Sequence, residues 1–411
     1  MREDDAAILI AQRIRGWRLE RGMTQQVLAD RATLDRSYIT KIENGQSRLD
    51  SRSTIDAIAA ALGVSYADLT GQPLHPDTPA ARVAHAHVHR LRGALLSSSL
   101  GDGGDAPLRP LAELAEVVDR CSAAWQECDY AAAAAGLDSA ITSLHATLAD
   151  PDTDMAGRER AAFQLVLALD VATWTARVLG YYDLAYALSS RQVEVALTQG
   201  HLPHLLGLAR FTQALTVSAT GTGPDPVRRV ALRLAERAID ELAPQVGRDG
   251  GRRQEVLGML HLAAMRTAVA AGSDGADHLT EARRLAERTG ETTSMRLYFG
   301  PTNVAIWEVH AAVERREGGR TAEIAQRVDL GAIPSRARRT MYWRHYGLGL
   351  AQDRGRQAEA VQALLRAERE APGKLRLDPL AREAVGHMLQ HARARAGGPH
   401  LARLARHAGV L

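Results

Sequence analysis

Residues 23–46 read MTQQVLADRATLDRSYITKIENGQ, which divides into two short helical segments around a brief turn. Thr24 is a good N-cap for a helix over 25–32. Thr33 and Leu34 form the turn. Asp35 is placed to cap a helix over 36–44, and Gly45 stops it. Outward from this run, Ile10, Ile14 and Trp17 share one side of a helix over 8–21 that Gly22 ends. On the other side, Ser53 opens a helix to Leu62, Gly63 closes it, and residues 66–69 make a last turn. Five short helices are expected over residues 8–69.

Two helices joined by a turn of three or four residues have helix-turn-helix geometry, whose second helix enters the DNA major groove. Ala29 is small where such helices cross. Leu28, Ala32, Leu34, Ile39 and Ile42 are apolar and tie both helices to a core. The run 23–46, followed by STIDAIAAALGVSYADL at 53–69, resembles the Xre/Cro-type DNA-binding domain of phage and bacterial regulators. The resemblance covers about 60 residues and implies a five-helix, lambda-repressor-like fold. One position departs from the family pattern: the turn residue, usually Gly, is Thr33. The resemblance implies that Arg36, Ser37, Thr40 and Lys41 line the outer face of the recognition helix. Arg36 and Lys41 suit guanine O6 and N7, and Ser37 and Thr40 suit base edges or a thymine methyl. Gln25, Gln26 and Asn44 fit phosphate or base-edge roles, and Tyr38 and Arg48 fit the DNA backbone. The alternative is that Arg36 and Lys41 are simply solvated charges, since helix-turn-helix packing also occurs in domains that bind no DNA.

The composition agrees with helices throughout. The chain has 411 residues, 45% of the AVILMFWYC set, 4% aromatic residues, 15 Pro and about 70 Ala. Few aromatic and β-branched runs leave little material for sheets. Net charge is +3. Residues 1–71 hold ten basic and ten acidic residues, and residues 31–52 hold five against three. A headpiece so weakly basic makes few phosphate contacts and binds poorly alone. A homodimer on two half-sites of a palindromic operator, about one helical turn apart, is the expected remedy. The tail from Lys374 carries seven basic residues and two acids, a solvated face or a surface for an acidic partner.

Gly71 to Pro79 is rich in Pro and divides the chain into a headpiece at 1–71, a linker at 72–79 and a helical remainder at 80–411. After a helix near 80–100, helix pairs are read at 112–128 with 130–148, 155–179 with 182–199, 202–219 with 225–242, and 252–271 with 275–289. They continue at 302–317 with 320–328, 335–353 with 356–371, and 380–396 with 400–408. Turns such as Asp129-Tyr130-Ala131, Gly319-Arg320-Thr321 and Gly355-Arg356-Gln357 share a signature. Such pairs resemble tetratricopeptide repeats, so the expected fold class is all-α, with an α-solenoid after the headpiece. The first helices of a solenoid line its concave face. They carry polar-aromatic stripes: Trp174 and Arg177; Arg210 and Gln213; Asn303, Trp307 and His310; and Arg338, Tyr342 and His345. These stripes form either a ligand groove or packing between repeats.

The order of headpiece and repeats resembles the peptide-pheromone receptors of Gram-positive bacteria. The runs 53–73, FGPTNVAIWEV at 299–309 and ALLRAEREAPGKLRLDPLAREAV at 363–385 resemble the long one-component regulators of actinomycetes more closely. That resemblance implies a transcriptional regulator whose repeats sense a peptide, small-molecule or protein signal, or dimerise. The alternative is a non-enzymatic scaffold whose repeats dock a partner protein. No catalytic motif stands out, and no metal or cofactor is expected. His85 and His89 share a helical face without a carboxylate nearby. Cys121 and Cys128, if on one helix, are roughly 10.5 Å apart along its axis, beyond disulfide reach. The acidic N-terminus and the lack of a long apolar run point to a cytoplasmic chain with no membrane segment.

Overall fold

The computed structural model describes residues 3–44, 46, 52–64, 69, 79–220, 226–246, 251–333, 335–391 and 398–410. Among these the chain is helical, with no strand beyond two isolated bridges, Ser99 with Asp102 and Thr292 with Phe299. It divides into two compact units. One is residues 1–86 with Leu179–Tyr181; the other is residues 87–178 with 182–411.

The first unit contains α1 (Glu3–Glu20), α2 (Gln25–Ala32), α3 (Arg36–Glu43) and α4 (Arg52–Leu62). The expected turn at 66–68 and the linker at 72–78 lie outside the described residues. Gly22 (φ 61°) ends α1 and Gly63 (φ 63°) ends α4, a left-handed geometry that glycine adopts without penalty. Thr24 caps α2 by accepting from the Val27 amide at 3.2 Å. Asp35 differs from expectation. Its backbone carbonyl accepts from the Ile39 amide at 3.1 Å, but its side chain makes no cap bond. Ile14, Leu28, Ala29, Ile39, Ile42, Ile55, Ile58, Leu62 and Leu69 form one buried cluster. Ala29 is fully buried, so the three-residue turn can bring α3 against α2.

Thr33 occupies the left-handed region at φ 55°, ψ 44°, where the family pattern puts Gly. A β-branched residue there is strained by about 1–2 kcal/mol. Thr33→Gly releases that strain but loosens the unfolded chain by about 0.4–1 kcal/mol. The net expectation is a melting temperature a few degrees higher with DNA affinity unchanged. Scanning calorimetry checks it; a lower melting temperature would count against strain at this turn.

The second unit takes in the greater part of α5 (Pro79–Ser97), then α6 (Leu111–Gln126), α7 (Tyr130–Ala134) and α8 (Leu137–Ala149). The single helix expected over 130–148 is interrupted because Gly136 turns left-handed at φ 83°. Six helix pairs follow: α9 (Met155–Val178) with α10 (Tyr182–Leu197), α11 (Pro203–Thr220) with α12 (Pro226–Leu242), and α13 (Arg252–Ala270) with α14 (Ala276–Thr289). Then come α15 (Pro301–Glu314) with α16 (Gly318–Ala325), α17 (Arg336–Ala351) with α18 (Gln357–Glu370), and α19 (Pro379–His391) with α20 (Gly398–His407). Members of each pair pack on each other. The first member of each pair also packs on the first member of the next. Small residues make this possible: a Cβ at Gly258 would lie 2.0 Å from the Phe299 ring, and one at Gly347 would lie 2.7 Å from Leu364. Among the described residues α9 alone is long and apolar enough to cross a bilayer, yet 67% of its apolar window is buried inside the unit.

Two features were not expected. The segment between α14 and α15 is an irregular hairpin, folded around the fully buried carboxylate of Glu255. That carboxylate accepts from the amides of Met295 at 3.0 Å and Leu297 at 3.2 Å, and from the Thr292 and Ser294 hydroxyls. α6 also contacts α17, although more than 200 residues separate them. The Ser335 hydroxyl donates to Gln126 Oε1 at 2.5 Å, and Arg296 pairs with Asp119. Cys128 is not on α6 but in a left-handed turn beyond it (φ 62°), with its sulfur 3.9 Å from the Thr340 hydroxyl. Both cysteines are free; burial pushes the Cys121 thiol up to about 11.

Candidate functional site

The first site is the outer face of α3. Its inward stripe is Ile39, Ile42 and Glu43, all buried. That orientation turns Arg36, Ser37 and Lys41 to the surface, with Asn44 at the helix end. Among the described residues neither Arg36 nor Lys41 has an ion-pair partner, so both cations are available to an anion. Thr40 is half-buried and donates to Gln25 Oε1 at 3.0 Å or to the Arg36 carbonyl at 3.0 Å. Gln25 therefore is not a free contact residue. Its amide donates to Glu43 Oε2 at 2.9 Å while its carbonyl faces Thr40, which locks the start of α2 to α3. Gln26 stays exposed, its amide on Asp30 at 2.8 Å. Tyr38 is half-buried against the core rather than projecting freely. Arg48 lies outside the described residues.

Beneath this face lies a pair that the sequence reading did not single out. Arg18 on α1 donates from Nε to Glu43 Oε1 at 2.6 Å and from Nη2 to Oε2 at 2.8 Å, and its Nη1 reaches the Met23 carbonyl at 2.8 Å. Both side chains are almost wholly buried. The hydrogen bond to Glu43 raises the arginine pKa above its ordinary value. The signal was present in the pattern. Glu43 follows Ile39 by four on the apolar stripe, and Arg18 follows Ile14 by four on α1. A buried charge requires a partner. The bidentate pair and Gln25 fix the roll of α3 about its axis, and so choose which side chains face outward.

The second site is a cavity of about 670 Å³ inside the second unit. Six of the ten stripe residues line it: Trp174, Arg177, Trp307, His310, Arg338 and His345. The other four are committed elsewhere. Arg210 donates to Gln213 at 2.9 Å, and Gln213 turns toward Ser190. Asn303 is buried with its amide on the Met259 sulfur at 3.5 Å. Tyr342 packs with Ile306 and Val309 and donates to the Ala325 carbonyl at 2.9 Å. Helical spacing gives a stripe its direction but not the contacts of its edges, and Tyr342 sits on an edge.

The cavity lies where α6 contacts α17, so the first helices line a concave, partly open space as well as facing one another. Arg266 and Arg344 were not foreseen in it. Arg266 Nε donates to His310 Nε2 at 3.1 Å. His310 must then carry its proton on Nδ1, which donates to His345 Nδ1 at 3.2 Å. His345 Nδ1 also accepts from Arg344 Nη1 at 3.0 Å. Burial, reinforced by the neighbouring guanidinium groups, holds both imidazoles neutral, well below their usual pKa. Arg344 in turn pairs with Asp378. Burial pushes the Asp170 carboxyl up to about 6, although it accepts hydrogen bonds from Thr212, Gln192 and Trp174. His85, by contrast, is in the first unit and bonds the Tyr181 hydroxyl at 2.8 Å.

Residues 9–70 match a family described as a helix-turn-helix domain. The immunity repressor protein of Bacillus phage phi105 is 41% identical over 63 residues, 15% of this chain and 43% of that protein. The chain thus spans less than half the length of that relative. No solved structure matches the chain. The sequence match, the packed crossing of α2 and α3 and the polar outer face of α3 agree: residues 9–70 are a helix-turn-helix domain.

Proposed function

We propose that this protein is a DNA-binding transcription regulator, cytoplasmic and without catalytic activity, that reads the major groove with α3. The observation that carries the reading is the surface of α3. Arg36, Ser37, Lys41 and Asn44 stand on one exposed face, held at a set angle by the buried Arg18–Glu43–Gln25 contacts. The likeness of residues 9–70 to an immunity repressor supports it. The second unit is a sensor, its stacked pairs an α-solenoid of tetratricopeptide-like hairpins. It binds a peptide, small-molecule or protein signal, and the regulator acts as a homodimer on a palindromic operator. The weak charge of the headpiece supports pairing, because few phosphate contacts per subunit leave each half-site weak. A signal acts only if it binds two conformations of the sensor with different affinity.

Gel shift of the full-length protein on the DNA upstream of its own coding region, over a salt series, tests the reading. Arg36→Ala should weaken binding by about 1–3 kcal/mol, roughly five- to 150-fold, if the side chain reads a guanine edge. Equal affinity of variant and parent, or binding indifferent to sequence, would overturn the placement of α3.

A further inference from the structure

We infer that the cavity of the second unit binds a small organic anion with a flat apolar body and two or more negative charges. The inference rests on the reading of that unit as a sensor and names the chemical class it takes.

Charge is the first ground. Seven arginine and lysine side chains line the cavity against four carboxylates, an excess of three positive charges. Two of those carboxylates are already engaged. Asp378 is held by Arg344 and the Leu380 amide, and Asp170 accepts from three side chains. Among the described residues, Arg177, Arg266, Arg338 and Lys374 have no carboxylate within 4.0 Å. Each is half-buried on the concave wall. Burial, with Arg266 next in effect, lowers Arg177 to about 9; burial alone lowers Arg338 to about 10. Concentrated unpaired cations destabilise a fold. An anion relieves them.

Unmet donors are the second ground. Lining residues also carry buried nitrogens without a protein acceptor, set just behind the cavity surface: Nε1 of Trp125 and Trp307, Nη1 of Arg296 and Nε of Arg338. Among the described residues no buried acceptor of a lining side chain is left unpaired in the same way. A wall short of acceptors suits a ligand rich in them.

Shape is the third ground. Trp125, Trp174 and Phe211 form a continuous aromatic surface, with successive ring centroids 6.1 Å apart. Arg177 lies over the Trp174 ring at 4.9 Å, which puts positive charge beside the apolar wall. A volume near 670 Å³ is within the range of small-molecule sites, and the Gln126–Ser335 contact bounds it. A phosphate or a pair of carboxylates on a planar apolar body satisfies all three features.

The test uses full-length protein and two probes with one ring system: 1-naphthyl phosphate, a dianion, and neutral 1-naphthol. In calorimetric titration the phosphate should bind at least ten-fold more tightly than the naphthol. Arg177→Met should weaken the phosphate at least five-fold, leave the naphthol unchanged and not lower the melting temperature, because it removes an unpaired cation. Lys374→Met gives an independent variant with the same expectation, and exposed Arg229→Gln should change nothing. Equal binding of the two probes, no binding of the phosphate, or unchanged phosphate affinity in both cavity variants would overturn the inference. Gel shift on the same preparations separates the two readings. Anion binding without DNA binding would sink the regulator and leave the cavity assignment standing; the reverse would sink the assignment alone.

Discussion

Glu43→Ala should cost the first unit about 3–5 kcal/mol and abolish DNA binding, although Glu43 itself faces inward. Its carboxylate is 1% exposed and receives two hydrogen bonds from Arg18 and one from Gln25. Removing it leaves a guanidinium buried without counter-charge, which costs far more than the net worth of the pair. A helical domain of about 60 residues has a total stability of roughly 3–9 kcal/mol, so the loss consumes most of it. Hydrogen exchange of α2 and α3 should rise toward that of an unfolded chain at room temperature. The control is Arg18→Met with Glu43→Leu, which replaces both charges with apolar groups. That double variant should regain most of the stability, because a buried ion pair is about neutral relative to well-packed hydrophobic residues. A loss below about 1 kcal/mol for Glu43→Ala would mean that water reaches the Arg18 site and that the pair does not set the roll of α3.

Glu255→Ala is the second large effect. The carboxylate is fully buried and accepts from the Met295 and Leu297 amides and from two hydroxyls. Hydrogen bonds to a charged group contribute about 1.5–3 kcal/mol each, and the backbone amides have no alternative acceptor once the carboxylate is gone. A cost of roughly 3–6 kcal/mol is expected, with a fall in melting temperature of about 10 °C. The damage is not confined to stability. Residues 291–299 place Met295, Arg296 and Leu297 in the cavity wall, and the Leu297 carbonyl holds Arg338 at 3.0 Å. Limited proteolysis should therefore cut within 291–299, and 1-naphthyl phosphate affinity should fall together with the melting temperature. Glu255→Gln keeps one acceptor oxygen and should cost less. A shift under about 2 °C for the alanine variant would show that the segment is held by Phe299 packing instead.

The headpiece was legible because its signals are local. Thr24 and Gly22 mark chain reversals within a few residues, and Leu28, Ile39 and Ile42 repeat at helical spacing. Those features set the backbone before any distant contact forms. The departure at Thr33 was equally visible, since only the turn geometry was needed to foresee a left-handed residue there. Gln25 and Tyr38 were harder. Their positions follow from the same helices, but what their side chains touch depends on Glu43 and on the core below. Glu43 shows the limit: its charge on an apolar stripe calls for a buried partner, a signal that was not singled out, while the identity of Arg18 came from how α1 packs on α3.

The second unit divides in the same way. Most helix pairs were legible in the sequence, because each is a short-range object with its own periodicity and breakers, although Gly136 divides the helix expected over 130–148. Six residues of the polar-aromatic stripes reached one cavity because they share the inward faces of first helices. The concave form of that cavity was decided only in three dimensions. α6 meets α17 through Gln126 and Ser335, 209 residues apart, and the hairpin at 291–299 closes over Glu255. The excess of positive charge has the same origin. Arg177, Arg266, Arg338 and Lys374 lie nearly 200 residues apart at the extremes and show no pattern along the chain. Their common surroundings are a property of tertiary packing, because electrostatic repulsion and lost hydration depend on distance through space and not on distance along the sequence.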